Sequence, residues 1–404
     1  MVPRMLLLFA AAGLVSCTAF LVLSMVSAIR FRRRSRQHGL AKSSALPRVT
    51  LLKPLCGLEP KLEENLESFF QQDYPEFEIV FGTRDARDPA LGLVREIQLR
   101  YPGVKTKIVV SGEPDRPNAK VCSLEKMYAA AASNYLVISD SDVRVAPNCV
   151  REVVAPLLDR GVGLVTCLYR GVPTKGSWSR LEALGMSVEM SSGVIIAGML
   201  EGMKFALGPT MAIRREVLDA IGGFAVLADY CADDYVLGQA VHNSGHTVLL
   251  SHHVIDHLAN HQSFTGSILH QVRWMKSTRF SRPKGHVGTG LTFAMPFGIL
   301  GLAAGLAGGH ARLGLALFCW ALMHAAAMSV VVGWAVVRDP RCLRYCWLYP
   351  VREFMGFCFW CASFTGRNIV WRAVRYRLEF GGKMVRVAPV QQRESAAVAV
   401  DNLA

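Results

Sequence analysis

Residues 5–29 run for 25 positions without a charged side chain, and five arginines between 30 and 36 follow at once. At about 1.5 Å of rise per residue, a helix of that length exceeds the roughly 30 Å hydrocarbon core of a bilayer, so the stretch predicts a tilted membrane span. Basic residues gather on the cytosolic side of such spans, which places the next segment in the cytosol. Leu14-Val-Ser-Cys17 has the form of a lipoprotein processing box. Apolar residues continue for twelve positions beyond Cys17, however, which favours an uncleaved span over a signal peptide.

Residues 291–309 and 313–337 form two further apolar runs, separated only by His310, Ala311 and Arg312. They read as two spans joined by a tight turn. A last run, 346–365, is interrupted by Pro350, Arg352 and Glu353 and has basic residues on both sides, so it reads as interfacial or re-entrant. Residues 1–47 hold seven Lys/Arg and no acids, and residues 338–404 hold eleven against five. The flanks therefore supply nearly all of the net charge of +14. A nucleic-acid binder usually carries its excess on the folded domain, so no nucleic-acid partner is expected. The eleven cysteines follow no framework. Cys358-Phe-Trp-Cys361 has metal-like spacing but no second pair, and reads as small buried hydrophobes.

Between the flanks the hydrophobic period alternates. Strands are expected at 49–54, 77–83, 106–110, 135–139 and 162–168, with helices at 61–72, 89–100, 121–132 and 147–158. Strands alternating with helices of this length predict an α/β domain: a doubly wound, mostly parallel sheet covered on both faces. The pattern is less regular from 176 to 267, with helices at 177–188, 215–221 and 233–244 and a strand at 247–250. A basic, Trp-containing amphipathic helix at 267–280 suits the membrane interface.

The chemistry concentrates where strands should end. Tyr135-Leu-Val-Ile-Ser-Asp140-Ser-Asp142 is a buried strand running into two acids, at the sheet edge where open α/β folds bind ligands. Two carboxylates one residue apart suit a hard divalent cation, although an Asp-rich turn is the plainer reading. Asp85 and Asp88 follow the second strand and could contact a nucleotide or simply form a turn before Pro89. Lys120 opens a helix and could meet phosphate. Asp233 and Asp234 open another, as dipole partners or as a general base. His253, His257 and His261 recur every four residues, but the Val/Ile-containing stretch 252–257 reads as a strand, which would scatter them.

The order of these motifs resembles an inverting glycosyltransferase of the GT-A type, specifically glycosyltransferase family 21. That family holds the ceramide glucosyltransferases and bacterial hopanoid-biosynthesis enzymes. Leu51-Leu-Lys-Pro-Leu-Cys-Gly57, Asp88-Pro89, Asn118-Ala-Lys120, Gly222-Gly-Phe224, Asp233-Asp-Tyr235 and Val272-Arg-Trp274 carry the resemblance, which covers roughly residues 1–380. It implies donor contacts at Lys53, Asp85, Asp88, Lys120, Arg273 and Trp274. It also implies a Mg²⁺ or Mn²⁺ held by Asp140 and Asp142, and a catalytic base at Asp234. The family's (Gln/Arg)-x-x-Arg-Trp motif begins here with His270, whose role is therefore open.

The organisation expected is a membrane helix over 1–29, a basic cytosolic linker over 30–47, and a GT-A catalytic domain over 48–285. Two membrane helices within 286–337 follow, then an interfacial or re-entrant segment with a basic cytosolic tail over 338–404. The activity expected is transfer of a hexose, glucose or N-acetylglucosamine, from a UDP-sugar to a membrane lipid, ceramide or a hopanoid such as bacteriohopanetetrol. The catalytic domain would face the cytosol, with the bacterial inner membrane as the expected location. A polymerising glycan synthase and a non-catalytic membrane scaffold are the alternatives. A transporter would place ionisable residues within its spans, and 291–309 has none.

Overall fold

The computed structural model describes residues 1–37, 46–260, 263–372 and 374–389. Residues 38–45 of the expected linker, His261 and the end of the basic tail from 390 onward lie outside the described residues.

Eight strands form one sheet: β1 (Val49–Pro54), β2 (Phe77–Thr83), β3 (Lys105–Val110), β4 (Tyr135–Ser139), β5 (Val143–Arg144), β6 (Val162–Pro173), β7 (Thr210–Arg214) and β8 (Thr247–Ala259). Their order is β3-β2-β1-β4-β7-β6-β8-β5. The first four are parallel, and β6 and β8 pair in parallel. β7 runs antiparallel to both its neighbours, and β5 runs antiparallel to β8. Successive side chains on a strand point to opposite faces, and here both faces are apolar. Leu51, Ile79 and Val137 enter one core, while their chain neighbours Leu52, Val80 and Leu136 enter the other. This is the doubly wound sheet that the sequence predicts, with helices packed on each face.

The N-terminal helix, Val2–Gln37, continues through the arginines that follow the apolar run, so the basic segment begins as helix rather than linker. By length and composition, Val2–Arg33, Gly176–Leu200 and Ala311–Trp334 could each cross a membrane. The expected span at 291–309 is instead the second half of a broken pair, Pro283–Thr289 and Ala294–Ala307, bent by 42°. Gly290 marks the break. A Cβ there would lie 2.6 Å from the Trp360 ring, so the backbone passes where no larger residue fits.

The interrupted segment is resolved by partners its sequence neighbours do not supply. It forms helix Tyr349–Ser363, in which Arg352 and Glu353 are both buried. Arg352 Nη2 donates to Glu189 Oε2 at 2.9 Å, and Glu353 Oε2 accepts the Met295 amide at 3.0 Å. A further departure from the expected tail follows. β9 (Asn368–Trp371), β10 (Val374–Leu378) and β11 (Met384–Pro389) make a small antiparallel sheet. It is bound to the eight-stranded domain by the amides of Met384 and Cys231, which donate to the carbonyls of Asp229 and Gly382 at 2.7 and 3.0 Å.

Candidate active site

The strand tip is where the sequence places it. β4 ends at Ser139, and Asp140 and Asp142 project from the loop beyond it, at the carboxyl edge of the parallel strands. Lys53, on β1, is fully buried. Its ammonium donates to the Asp140 carbonyl at 2.5 Å and lies 3.8 Å from the Phe69 ring centroid. Burial pushes the Lys53 amine down to about 7 against the pull of Asp140, Asp142 and Glu59. Lys53 thus fixes the acid-bearing loop from beneath rather than presenting itself to a ligand.

Lys120 comes from the helix Ala119–Ala130, whose first turn is capped by Asn118 accepting the Val121 amide. Its Nζ lies 2.6 Å from Asp140 Oδ1 and 3.9 Å from Asp233 Oδ2. Asn118 also donates to Asp233 Oδ1 at 3.3 Å, so one helix start joins the strand tip to the second acidic motif.

Asp142 faces His257 from β8, with Oδ2 3.2 Å from Nε2. Burial alone would raise the Asp142 carboxyl. His257, with Lys53 and Lys120 behind it, outweighs burial and holds it at about 2.

Asp234 opens the helix Asp233–Asn243. One carboxylate oxygen accepts the Gly208 amide at 2.6 Å and the other accepts its neighbour Tyr235's amide at 2.8 Å. A Cβ at position 208 would sit 3.0 Å from that oxygen, so glycine permits the close approach. Burial first, then adjacent Asp233, raises the Asp234 carboxyl to about 6, offset in part by Lys120 and the two amides. A carboxylate poised near neutrality is what general-base chemistry requires.

Asp88 accepts amides from Gly57 and Ala90, at 3.0 and 2.9 Å, and so ties the loop after β1 to the loop after β2. Asp85 is exposed and accepts the Arg87 amide at 2.9 Å. The two acids therefore shape the edge loops beside the strand tip.

Arg273 and Trp274 lie on the helix Phe264–Ser281. The Arg273 guanidinium sits 5.5 Å from the Trp371 ring, and Trp274 packs at a tilt beside His270 and His257, with centroids 4.5 and 6.2 Å away. His270 Nδ1 is 2.8 Å from Glu182 Oε1, and Ser267 donates to the other oxygen at 2.7 Å. Glu182 is buried, so His270 and Ser267 anchor this helix to Gly176–Gly185.

Residues 8–384 match the profile of glycosyl transferase family 21. The chain belongs to that family. Ceramide glucosyltransferase 1 of Caenorhabditis elegans is 27% identical over 402 residues, covering 97% of this chain and 85% of that protein. Ceramide glucosyltransferase of Komagataella phaffii is 38% identical over 120 residues, 28% of this chain and 24% of that protein. Among solved structures, a mannosyltransferase from Pyrobaculum calidifontis in complex with GDP-Man and Mn²⁺ superposes with a TM-score of 0.51 at 19% identity, covering 88% of this chain and 97% of that one. The fold is accordingly GT-A, and this member of family 21 is a hexosyltransferase.

The acids fit a divalent cation. Asp142 Oδ1 is buried and has no hydrogen-bond partner among the described residues, beside a second carboxylate two positions away. Among the described residues no three ligating side chains converge, so the protein offers only part of a shell. Mg²⁺ and similar hard cations accept such a partial set and take other oxygens from water and phosphate. Among the described residues the histidines form no metal site, and His253 and His257 sit on β8, as the strand reading expects.

Two contributors escape a reading of the sequence. Glu59, in the loop after β1, accepts Ser141 Oγ at 2.7 Å, and burial together with Asp142 raises its carboxyl to about 7. Arg372, beside Trp371, adds positive charge near both Glu59 and Arg273. Glu59 lies in irregular loop with no periodicity to mark it. Arg372 lies in the turn after β9, more than 300 residues further along the chain than Glu59.

Proposed function

We propose that this family 21 member is a membrane-bound, inverting UDP-sugar:lipid hexosyltransferase with its active site on the cytosolic side. The observation that carries this reading is the placement of Asp234. It is a half-buried carboxylate raised to about 6 and anchored by two amides, and Lys120 couples its helix to the strand-tip acids. Glucose is the hexose named in the relatives, and ceramide the acceptor; N-acetylglucosamine and a hopanoid polyol are the other members of each class.

In the reaction, Asp234 takes the proton from an acceptor hydroxyl as its oxygen attacks the anomeric carbon. The new carbon–oxygen bond forms on the face opposite the departing UDP, whose bond to that carbon breaks with its electron pair, giving inversion. Asp140 and Asp142 would hold Mg²⁺ or Mn²⁺, which supplies charge stabilisation for the diphosphate when bound. Lys120 and Arg273 add fixed cations on the same side of the site, where they cost no reorganisation as charge develops. Asp88 and Asp85 hold the loops that border the nucleoside. Trp274 offers an aromatic face at the acceptor end. The apolar helices keep the enzyme at the bilayer, so that a lipid need not be extracted at about 0.8 kcal/mol per CH₂.

The test is direct. Membranes carrying the full chain are given each UDP-hexose with ceramide or bacteriohopanetetrol, and products are read by mass spectrometry. One hexose on one lipid supports the reading. Long glycan chains, or no transfer with any pair, would overturn it.

A further inference from the structure

A cavity of about 980 Å³ lies between the N-terminal helix and the back of the catalytic domain, away from the acids. Its walls include Thr247 to His253, the first half of β8. Asp142 meets His257, four residues further along, a distance of about 13 Å on an extended strand. The cavity is therefore separate from the site already described.

Its lining divides by chemistry. Phe31, Ile195 and Met199 form an apolar side, on which Phe31 packs against His252 with ring centroids 4.6 Å apart. Arg30 and Arg338 form a basic side. Both arginines are exposed, and neither has an acidic partner among the described residues. Glu152 is the acid in the wall, and it is engaged by Asn148 Nδ2 at 3.3 Å. His253 Nε2 is buried there and has no hydrogen-bond partner among the described residues.

Position names the occupant. Arg30 ends the apolar run of the first helix, and Arg338 follows the end of Ala311–Trp334. Both helices pass the length and composition test for crossing a membrane, so their ends define one depth: that of lipid phosphates. Arg338 also holds a left-handed backbone, φ 58°, uncommon for a long side chain.

We propose that this cavity binds an anionic phospholipid as a resident, non-substrate ligand. Its phosphate would lie between Arg30 and Arg338, and one acyl chain would run along Phe31, Ile195 and Met199. The inference rests on membrane insertion of the two helices and is independent of which sugar or acceptor is used.

The full chain is reconstituted in nanodiscs of phosphatidylcholine, with or without phosphatidylglycerol, then released and weighed by native mass spectrometry. One retained phosphatidylglycerol is expected. Arg30→Gln with Arg338→Gln should weaken retention roughly thirty-fold, at about fivefold per arginine. Met199→Phe, which narrows the apolar side without touching charge, should also release the lipid. Arg32→Gln with Arg33→Gln removes the same charge outside the cavity and should retain it. Equal loss in both arginine pairs would mean diffuse surface attraction and overturn the proposal. So would equal retention of phosphatidylcholine, or displacement of the lipid by inorganic phosphate.

Discussion

Lys120 Nζ lies 2.6 Å from Asp140 Oδ1, so the strand-tip acid is met by a cation before any ligand arrives. Burial disfavours a charged lysine here, but Asp140 and Asp233 more than compensate and hold Lys120 protonated. Replacing Lys120 with Met leaves Asp140 facing Asp142 and Asp233 with only Lys53 beneath it as a compensating cation. The variant should lose roughly 3 kcal/mol of stability, at the low end for a buried pair because Asp140 keeps 28% side-chain exposure. Its kcat/KM should fall by about 10²-fold, the loss expected when one fixed electrostatic partner is removed. Thermal unfolding in detergent and steady-state transfer assays measure the two effects; wild-type values in both would contradict the pairing.

Asp234→Asn keeps an oxygen for the Gly208 amide but cannot take a proton. Transfer should fall by about 10²–10⁴-fold, while UDP affinity by calorimetry stays unchanged. In the wild type, activity should rise with pH through about 6, as this carboxyl ionises. Its stability contribution runs the other way. Because the folded value lies above the ordinary 3.8, that contribution is full below about 3.8 and is lost as pH rises through about 6. An activity profile flat between pH 5 and 7 would exclude Asp234 as the group that titrates.

His270→Ala strips one of the partners of buried Glu182, leaving Ser267, and should cost roughly 1–3 kcal/mol. His270→Gln restores a donor and should recover part of it. A change confined to kcat, with unfolding unmoved, would instead assign His270 to the chemistry.

Chelation should abolish transfer, and Mn²⁺ or Mg²⁺ should restore it. Asp142→Asn should raise the metal concentration needed for half-activity by about 10-fold or more, since a neutral amide is a weaker ligand than a carboxylate. Full activity in the presence of excess chelator would exclude the metal role of Asp140 and Asp142.

The parts of the fold legible in the sequence are those whose burial is uniform. β4 is bounded as expected because Tyr135 to Ile138 form an unbroken apolar run ending at acids. β8 joins the strands expected at 247–250 and 252–257 into one, Thr247–Ala259, with a shift of register against β6 at His252 and His253 that breaks the alternation between them. β7 is short, antiparallel and preceded by Gly208-Pro209, which reads as loop. The helix Gly176–Gly185 runs through a π-helical turn at Met186–Met190 into Ser191–Leu200, where three serines within six residues blur the helical stripe. The C-terminal sheet did leave a signal: Val374, Tyr376 and Leu378 alternate with Arg375 and Arg377. Among the site residues, those in ordered motifs could be placed, whereas Glu59 and Arg372 depend on tertiary proximity alone.

The small C-terminal sheet docks on Asp229 and Cys231 and brings Trp371 against Arg273. These contacts are made by the last-synthesised part of the described chain, after every apolar helix has emerged. The strand-tip acids therefore precede in the chain the segment that completes the wall beside Arg273. The wall beside Arg273 is thus supplied by the far end of the chain, and a change that loosens the small sheet should be felt at Arg273 before it is felt at the strand tip.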